Sequence, residues 1–342
     1  MIQRTKRTRR AAVGALALLG AARLYRAAFY HQARRRVLKV ERRVPYDPDL
    51  LYPDPMGRPI YLVDPRNDTT LLFLSGYRML SMPGEHLDWF RELHGRGINV
   101  LAPLVGIQSL PFDHRIVGTT LERDVREAVQ VLDAYRSTLP SDHRIICASM
   151  SYGSIPSFAI AALRDVSDFV LLGPASVFAP TGRSAHSSAT LQRMRNPTLR
   201  GWALALRPRA LSQQDPMMKV VTRIVEGLAP LLVRTRVESG WDIADPERRA
   251  EAHQRFLLPA DVPMSDMWML ERSMRLVRES YLPRITGKRF LMAWGELDSV
   301  VMPEQNEALA DQLERLGNDV IRRPCERSGH LVLMDGERDQ VM

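Results

Sequence analysis

The chain has 342 residues, of which 45% are hydrophobic and 25% are charged, and its formal net charge is +9 at pH 7. These values are typical of a globular protein of one large or two smaller domains and exclude a disordered or collagen-like chain. The two cysteines, Cys147 and Cys325, exclude a disulfide framework. Neither has the paired Cys or His neighbours of a structural zinc site, so we expect no metal.

The excess positive charge lies at the N-terminus. Residues 1–43 contain 13 basic residues and one acid, Glu41, for a local net charge of +12. The rest of the chain carries 35 basic and 38 acidic residues, for a net charge of −3. The body of the protein is therefore not basic, and we do not expect it to bind nucleic acid.

An uncharged run, AAVGALALLGAA (residues 11–22), lies inside this basic segment. A basic stretch followed by an apolar run is typical of a secretory signal. As a helix the run would reach about 18 Å, which is short of the roughly 30 Å hydrocarbon core of a bilayer. A cleaved signal, a short signal anchor and a basic amphipathic helix on anionic lipid remain alternatives. We expect residues 1–43 to direct the chain to a membrane or to export, because a nucleic-acid-binding tail needs no such run.

From residue 44 onward, short apolar runs alternate with helical patterns. Apolar residues recur at helical spacing in residues 121–132 and 308–316. Runs of four to six residues that are apolar on both faces are typical of buried parallel strands. We predict strands at residues 59–63, 70–74, 99–102, 144–148, 169–172, 289–293 and 319–322. This order predicts an α/β fold with a mostly parallel sheet flanked by helices.

Residues 178–288 interrupt that alternation. They carry helical segments at 191–194, 218–232 and 267–281 without a convincing strand, and the sheet resumes at Arg289. We interpret residues 178–288 as a mainly helical cap before the penultimate strand and residues 44–177 with 289–342 as the core. Seven of the 16 methionines lie in the cap. Thioether side chains suit an adaptable wall for an acyl chain, although packing of the cap on the sheet is their commoner use.

The first candidate site residue lies in SMSYG (residues 149–153), between a predicted strand and an apolar helix. A serine on a sharp strand-to-helix turn is lifted clear of the sheet, and small residues two positions to either side let strand and helix approach closely. Ser151 holds that position between Ser149 and Gly153. The alternative interpretation is a serine-rich helix N-cap.

Two further candidates follow later strands. Asp298 lies in WGELDSV (residues 294–300), with Glu296 as a local alternative, and His330 ends RSGH (residues 327–330). Open α/β sheets place their active sites at the carboxyl ends of strands. Taken alone, each residue could be structural, as a turn aspartate or a packed histidine. The order Ser, Asp, His beyond three separate strands favours a catalytic set.

These pieces resemble the α/β-hydrolase fold serine hydrolases, and most closely their esterase and monoacylglycerol-lipase-like branch. The resemblance covers residues 58–177 and 289–335 and rests on LLFLSGY (71–77), INVLAP (98–103), SMSYG, WGELDSVV and SGHLVL (328–333). It implies that Ser151 is the nucleophile, His330 the general base and Asp298 the residue that orients the imidazole. It also implies that the backbone N–H groups of Tyr77 and Tyr152 form the oxyanion hole. The chain departs from the family at Ser149, where a glycine is usual, and at Ser75, where a His-Gly pair usually begins.

The sequence thus predicts a membrane-associated or exported enzyme that cleaves small-molecule carboxylic esters, with a lipophilic acyl group, through an acyl-Ser151 intermediate. No metal or organic cofactor is implied. Acyl transfer and thioester hydrolysis use the same residues and stay open as alternatives. A non-catalytic interaction protein on a hydrolase scaffold is the alternative from another class, and the departures at Ser75 and Ser149 keep it open.

Overall fold

The computed structural model describes residues 60–76, 87–103, 121–175, 243–249, 272–298 and 300–337, two short strands at 235–236 and 261–262, and the single helical residues Gly20 and Leu24. The predicted cap helices at 191–194 and 218–232 lie outside this part of the chain, and so does Tyr77. Within the described ranges, no helix is long and apolar enough to cross a membrane.

Each of the seven predicted strands coincides with a strand of the structure. The strands are β1 Ile60–Leu62, β2 Thr69–Leu74, β3 Ile98–Ala102, β4 Arg144–Met150, β5 Asp168–Leu172, β6 Thr235–Arg236, β7 Asp261–Val262, β8 Arg289–Gly295 and β9 Asp319–Cys325. The longer helices are α1 Leu87–Gly95, α2 Leu121–Arg136, α3 Ser154–Leu163 and α4 Pro303–Arg315. Short helical stretches lie at 246–249 and 272–276, with 3₁₀ turns at Ser151–Gly153 and Leu282–Arg284 and a π-helical stretch at Val277–Tyr281.

Seven strands form one sheet in the order β1-β3-β2-β4-β5-β8-β9. β1 is antiparallel to β3, and every other pair is parallel, as the apolar runs predicted. The loops that follow β4, β8 and β9 therefore leave the same edge of the sheet. β6 and β7 form a separate antiparallel pair inside the predicted helical cap. Strands of two residues carry no periodicity, so these two could not be predicted from the sequence.

The core covers both faces of the sheet because alternate residues of each strand point to opposite sides. On one face Leu72 and Phe169 pack with the apolar sides of α2, α3 and α4. On the other face Phe73 contacts Trp89 and Phe90 of α1, with ring centroids 5.5 and 5.2 Å apart. The sheet is thus held between helices and offers a fixed base for the loops at its carboxyl edge.

The sequence predicts that residues 319–322 form a strand with apolar residues on both faces. In this respect β9 differs from the prediction. It is the last strand of the sheet, and its residues 319–323 alternate between exposed and half-buried. Ile321 is 49% exposed, whereas Val320 packs against the core. Arg322 pairs with three carboxylates of α4, Glu307, Asp311 and Glu314. Charged side chains are common on edge strands, where they hinder pairing with another chain.

Candidate active site

Ser151 lies on a strained turn between β4 and α3. Its φ is +49°, and it is the single non-glycine residue with a positive φ in the described ranges. Non-glycine residues avoid this region because the Cβ crowds the backbone, and the cost is of order 1–3 kcal/mol where the surrounding structure enforces it. The turn directs the Ser151 side chain away from the strand and into the loops at the carboxyl edge of the sheet.

Small neighbours make room for this turn. A Cβ at Gly153 would lie 2.0 Å from the carbonyl oxygen of Leu74, so no other residue fits there without moving β2. Ser149 is fully buried between Leu74 and Leu171 of the adjacent strands. Its hydroxyl has no hydrogen-bond partner among the residues that the structure describes. Serine thus takes the place of the usual glycine and leaves one buried polar group beneath the turn.

Ser154 ties the turn to the loop after β5. Its hydroxyl donates to the carbonyl of Ser151 at 2.7 Å and accepts from the N–H of Ala175 at 3.0 Å. The same N–H also lies 3.2 Å from the Ser151 carbonyl. Helix α3 has Gly153 at its N-cap and no side-chain cap. Ser151 therefore does not act as an N-cap, and its hydroxyl is available for other contacts.

The structure brings Ser151, His330 and Asp298 into one hydrogen-bonded chain. The Oγ of Ser151 lies 2.8 Å from Nε2 of His330, and Nδ1 of His330 lies 2.7 Å from Oδ2 of Asp298. All three residues are less than a tenth exposed. If Nδ1–H donates to the carboxylate, Nε2 is left as the acceptor for the serine hydroxyl proton. That is the arrangement in which an imidazole can act as a base toward a serine.

Backbone groups hold the aspartate in place. Oδ1 of Asp298 accepts the N–H groups of Val300 and Val301 at 2.7 and 2.9 Å, which leaves Oδ2 for the imidazole. Hydrogen bonds to the ionised carboxylate offset the cost of burying its charge. The alternative acid, Glu296, is exposed and accepts from the indole N–H of Trp294 at 3.0 Å. The structure thus brings Asp298, and not Glu296, to His330.

Two buried carboxylates that the sequence analysis did not single out hold the loop that carries His330. Asp335 accepts the N–H of Gly329 at 2.6 Å and the N–H groups of Ala244 and Asp245, each at 2.9 Å. Glu337 accepts the N–H of Arg327 at 2.6 Å. Their exposed fractions are 2% and 5%. Both acids lie in the polar stretch DGERD (residues 335–339), which the sequence alone predicts to be solvated, so their nearness to His330 was the one available signal.

Of the two expected oxyanion donors, Tyr152 directly follows Ser151 in the 3₁₀ turn and is buried. Its backbone N–H thus belongs to the peptide unit that begins at the candidate nucleophile. Tyr77 lies outside the described residues, and its place in the site stays a prediction.

No protein-family model matches the chain, and no curated protein sequence matches it. Solved structures do match. The monoacylglycerol lipase of Paleococcus ferrophilus aligns with a TM-score of 0.53 and 14% identity over 83% of this chain and 96% of its own. A thermostable carboxyl esterase from Bacillus coagulans gives 0.54 and 15% over 83% and 90%. A soluble variant of monoglyceride lipase from Saccharomyces cerevisiae gives 0.55 and 13% over 87% and 91%.

At 13–15% identity these structural alignments establish the fold alone. The chain has the α/β-hydrolase fold, with a mostly parallel seven-stranded sheet. This confirms the fold class that the motifs indicated. The boundaries of the cap at residues 178–288 stay a prediction, because few residues of that range are described.

Proposed function

We propose that this chain is a serine hydrolase that cleaves carboxylic esters through an acyl-Ser151 intermediate. The observation that supports the proposal best is the chain of hydrogen bonds from Ser151 through His330 to Asp298, on a turn where Ser151 has a φ of +49°. Strained non-glycine backbone is concentrated at functional sites, where the rest of the fold enforces it.

The proposed reaction has two steps. In the first, Oγ of Ser151 attacks the ester carbonyl carbon while Nε2 of His330 takes the hydroxyl proton. The tetrahedral intermediate collapses, the bond from the carbonyl carbon to the alkoxy oxygen breaks, and the leaving alcohol takes the proton from His330. In the second, water attacks the acyl-serine with the same imidazole as base. The acid is released and Oγ recovers its proton. Asp298 holds the imidazole in the required tautomer and stabilises its protonated form.

The negative charge on the carbonyl oxygen needs donors that are in place before the reaction. The N–H of Tyr152 is one, by its position next to Ser151, and the N–H of Tyr77 is the second by resemblance to the family. Removal of one such donor typically costs about 10²- to 10³-fold in rate.

For the substrate, we propose esters with a lipophilic acyl group. The matching structures include a monoacylglycerol lipase and a carboxyl esterase, and these names support an ester substrate. The methionine-rich composition of residues 178–288 adds to this proposal, since thioether side chains form adaptable apolar walls. A series of p-nitrophenyl esters from acetate to palmitate measures the preference directly. We expect kcat/KM to rise from acetate to a medium-length chain, and a maximum at acetate would contradict a lipophilic substrate.

We also propose that residues 1–43 attach the protein to a membrane or direct its export. Their net charge of +12 and the uncharged run at residues 11–22 support this, because basic residues attract anionic lipid and apolar residues add burial. Binding of nucleic acid by the same segment is an outcome that the flotation experiment described below separates from this one.

Covalent labelling tests the catalytic proposal. A fluorophosphonate reacts with an activated serine, and peptide mass spectrometry then locates the adduct. We expect a single adduct at Ser151. An adduct at Ser149 or Ser154, or no adduct in folded protein, would overturn the assignment and leave the interpretation as a non-catalytic scaffold.

A further inference from the structure

A buried phenol and a buried carboxylate meet behind the strained turn. The hydroxyl of Tyr152 donates a hydrogen bond to Oδ2 of Asp124 at 2.5 Å. Asp124 lies in the first turn of α2 and is fully buried, and Tyr152 is 2% exposed. The two residues are 28 positions apart in sequence, so the bond connects helix α2 to the turn that carries Ser151.

A buried carboxylate is costly unless hydrogen bonds satisfy it. An apolar residue in the first turn of α2 would extend the core already formed by Leu121, Val125 and Ala128 without this cost. The core alone therefore does not account for Asp124. A buried hydrogen bond is electrostatically stronger than one in water because the local dielectric is low, which makes the pair a firm anchor for the tyrosine ring.

The anchored residue is the one whose position matters for the reaction. An oxyanion donor acts only when its N–H lies about 2.7–3.1 Å from the place that the oxyanion will take. The direction of the Tyr152 N–H depends on the peptide plane between Ser151 and Tyr152, and this plane turns with the Tyr152 Cα. Ser154 fixes the carbonyl of Ser151 from one side. The Asp124–Tyr152 bond fixes the following side chain from the other.

We propose that Asp124 is a positioning residue for the oxyanion hole: through the Tyr152 hydroxyl it holds the Tyr152 N–H in the direction that transition-state stabilisation needs. This inference rests on the proposed function. It adds a role for the Tyr152 side chain that is separate from the role of its backbone, and it brings α2 into the site. Asp124 touches no reacting atom.

The test compares Tyr152→Phe, which keeps the ring and deletes the hydroxyl, with Asp124→Asn, which keeps one acceptor oxygen and replaces the other by an amide nitrogen. Glu127→Gln is the matched control, since Glu127 lies on the same helix and pairs with Arg123 at its surface. Competent active sites are counted as the moles of fluorophosphonate bound per mole of protein. The value of kcat then refers to competent sites alone. The affinity for a trifluoromethyl ketone, which forms a tetrahedral oxyanion with serine, is measured alongside.

We expect Tyr152→Phe to lower kcat per competent site by on the order of tenfold, which is a part of the loss from deleting a donor, with KM within about twofold. The ketone affinity should fall by a similar factor. Asp124→Asn should show the same pattern to a smaller extent, and Glu127→Gln should match the wild type.

The inference is overturned if Tyr152→Phe loses melting temperature or competent sites while kcat per site and ketone affinity stay unchanged, because the pair would then serve packing alone. If Tyr152→Phe does not fold, unchanged kcat per site and ketone affinity in Asp124→Asn overturn it. Failure of the proposed function gives a distinct result, since the wild type itself would then show neither fluorophosphonate labelling nor ester turnover.

Discussion

Gly173, just beyond β5, lies directly against the backbone carbonyl of His330. A Cβ on Gly173 would be 2.5 Å from that carbonyl oxygen and 3.4 Å from the imidazole Nδ1. The φ of Gly173 is +50°, and its N–H donates to the carbonyl of Ala293 at 2.7 Å. The loop that carries His330 thus packs directly against the backbone of Gly173, which is itself hydrogen-bonded to β8.

Gly173→Ala should therefore impair both stability and activity. The added methyl group meets a left-handed backbone and a carbonyl, so we expect a loss of about 2–4 kcal/mol in the free energy of unfolding. Displacement of His330 should lower kcat per competent site by about tenfold or more. Gly317→Ala is the matched control, because Gly317 has a φ of +81° with open space around the Cβ position. Urea unfolding measures the loss of stability, and kcat per fluorophosphonate-labelled site measures the loss of activity. Equal kcat values in the two variants would contradict the steric argument.

Substitutions at the three hydrogen-bonded residues should remove activity without unfolding the protein. Ser151→Ala and His330→Ala each delete a reacting group, so we expect losses on the order of 10³-fold or more in kcat. Asp298→Asn should act through the wrong imidazole tautomer and cause a comparable loss. Glu296→Gln changes the nearby exposed acid and should leave kcat unchanged. A large loss of kcat in Glu296→Gln with little loss in Asp298→Asn would identify Glu296 as the acid that orients His330.

Asp335→Asn should weaken the loop that carries His330. The three backbone N–H groups bound by Asp335 need two acceptor oxygens, and an amide offers one oxygen and turns a donor toward another donor. We expect a loss of about 1–3 kcal/mol in unfolding free energy and a reduced kcat. Asp311→Asn, at the exposed Arg322 cluster, is the control and should stay within about 0.5 kcal/mol of the wild type. Similar stability in both variants would show that the Asp335 bonds contribute little.

Both cysteines should resist alkylation in the native protein. Burial raises the pKa of Cys147 to about 12, and burial with the nearby carboxylates of Glu337 and Asp335 raises the pKa of Cys325 to about 11. The thiolate fractions at pH 8 are then roughly one in 10⁴ and one in 10³. We expect iodoacetamide to modify neither thiol at pH 8 until urea unfolds the chain, with mass spectrometry as the readout.

The raised pKa values of the two thiols also predict how the free energy of unfolding changes with pH. Because both pKa values are raised on folding, the thiols contribute stability that is fully present below about pH 9 and is lost as the pH rises toward 11 and 12. Rapid alkylation of folded protein at pH 8 would contradict both statements.

Removal of the basic N-terminal segment should separate lipid binding from catalysis. A chain that begins at Val44 lacks the segment with a net charge of +12 and keeps Ser151, Asp298 and His330. We expect the full chain to float with anionic liposomes and to be released only partly by high salt, since salt screens charge and leaves apolar burial intact. The shortened chain should stay in solution and keep its turnover of a short soluble ester.

Equal liposome binding by both chains would move the lipid contact to the body of the protein. Steeply salt-dependent binding of duplex DNA by the full chain, without lipid binding, would instead identify the segment as a nucleic-acid arm.

The strands could be predicted from the sequence, and the three residues that the structure joins by hydrogen bonds could be singled out, because each has a local signature. Apolar runs mark β2 and β4, and short turn motifs at strand ends mark Ser151 and Asp298. The partners of those residues have no such signature. Asp124 occupies a polar position early in an ordinary amphipathic helix, and Asp335 resembles a solvated acid. Their burial depends on which segments the fold places beside them, and one sequence without its tertiary contacts does not contain that information.

The bond between Ser151 and His330 joins residues 179 positions apart. Between them the chain must pair β5 with β4, β8 with β5 and β9 with β8, and each parallel pair requires a long crossover to close before its contacts form. A partly folded chain in which β2, β4 and α3 are assembled would already possess the serine turn and would still lack its base. During refolding, reactivity toward a fluorophosphonate should consequently return after native helix content does. The rate at which it returns would report the docking of β9, which lies at the edge of the sheet three positions from β4.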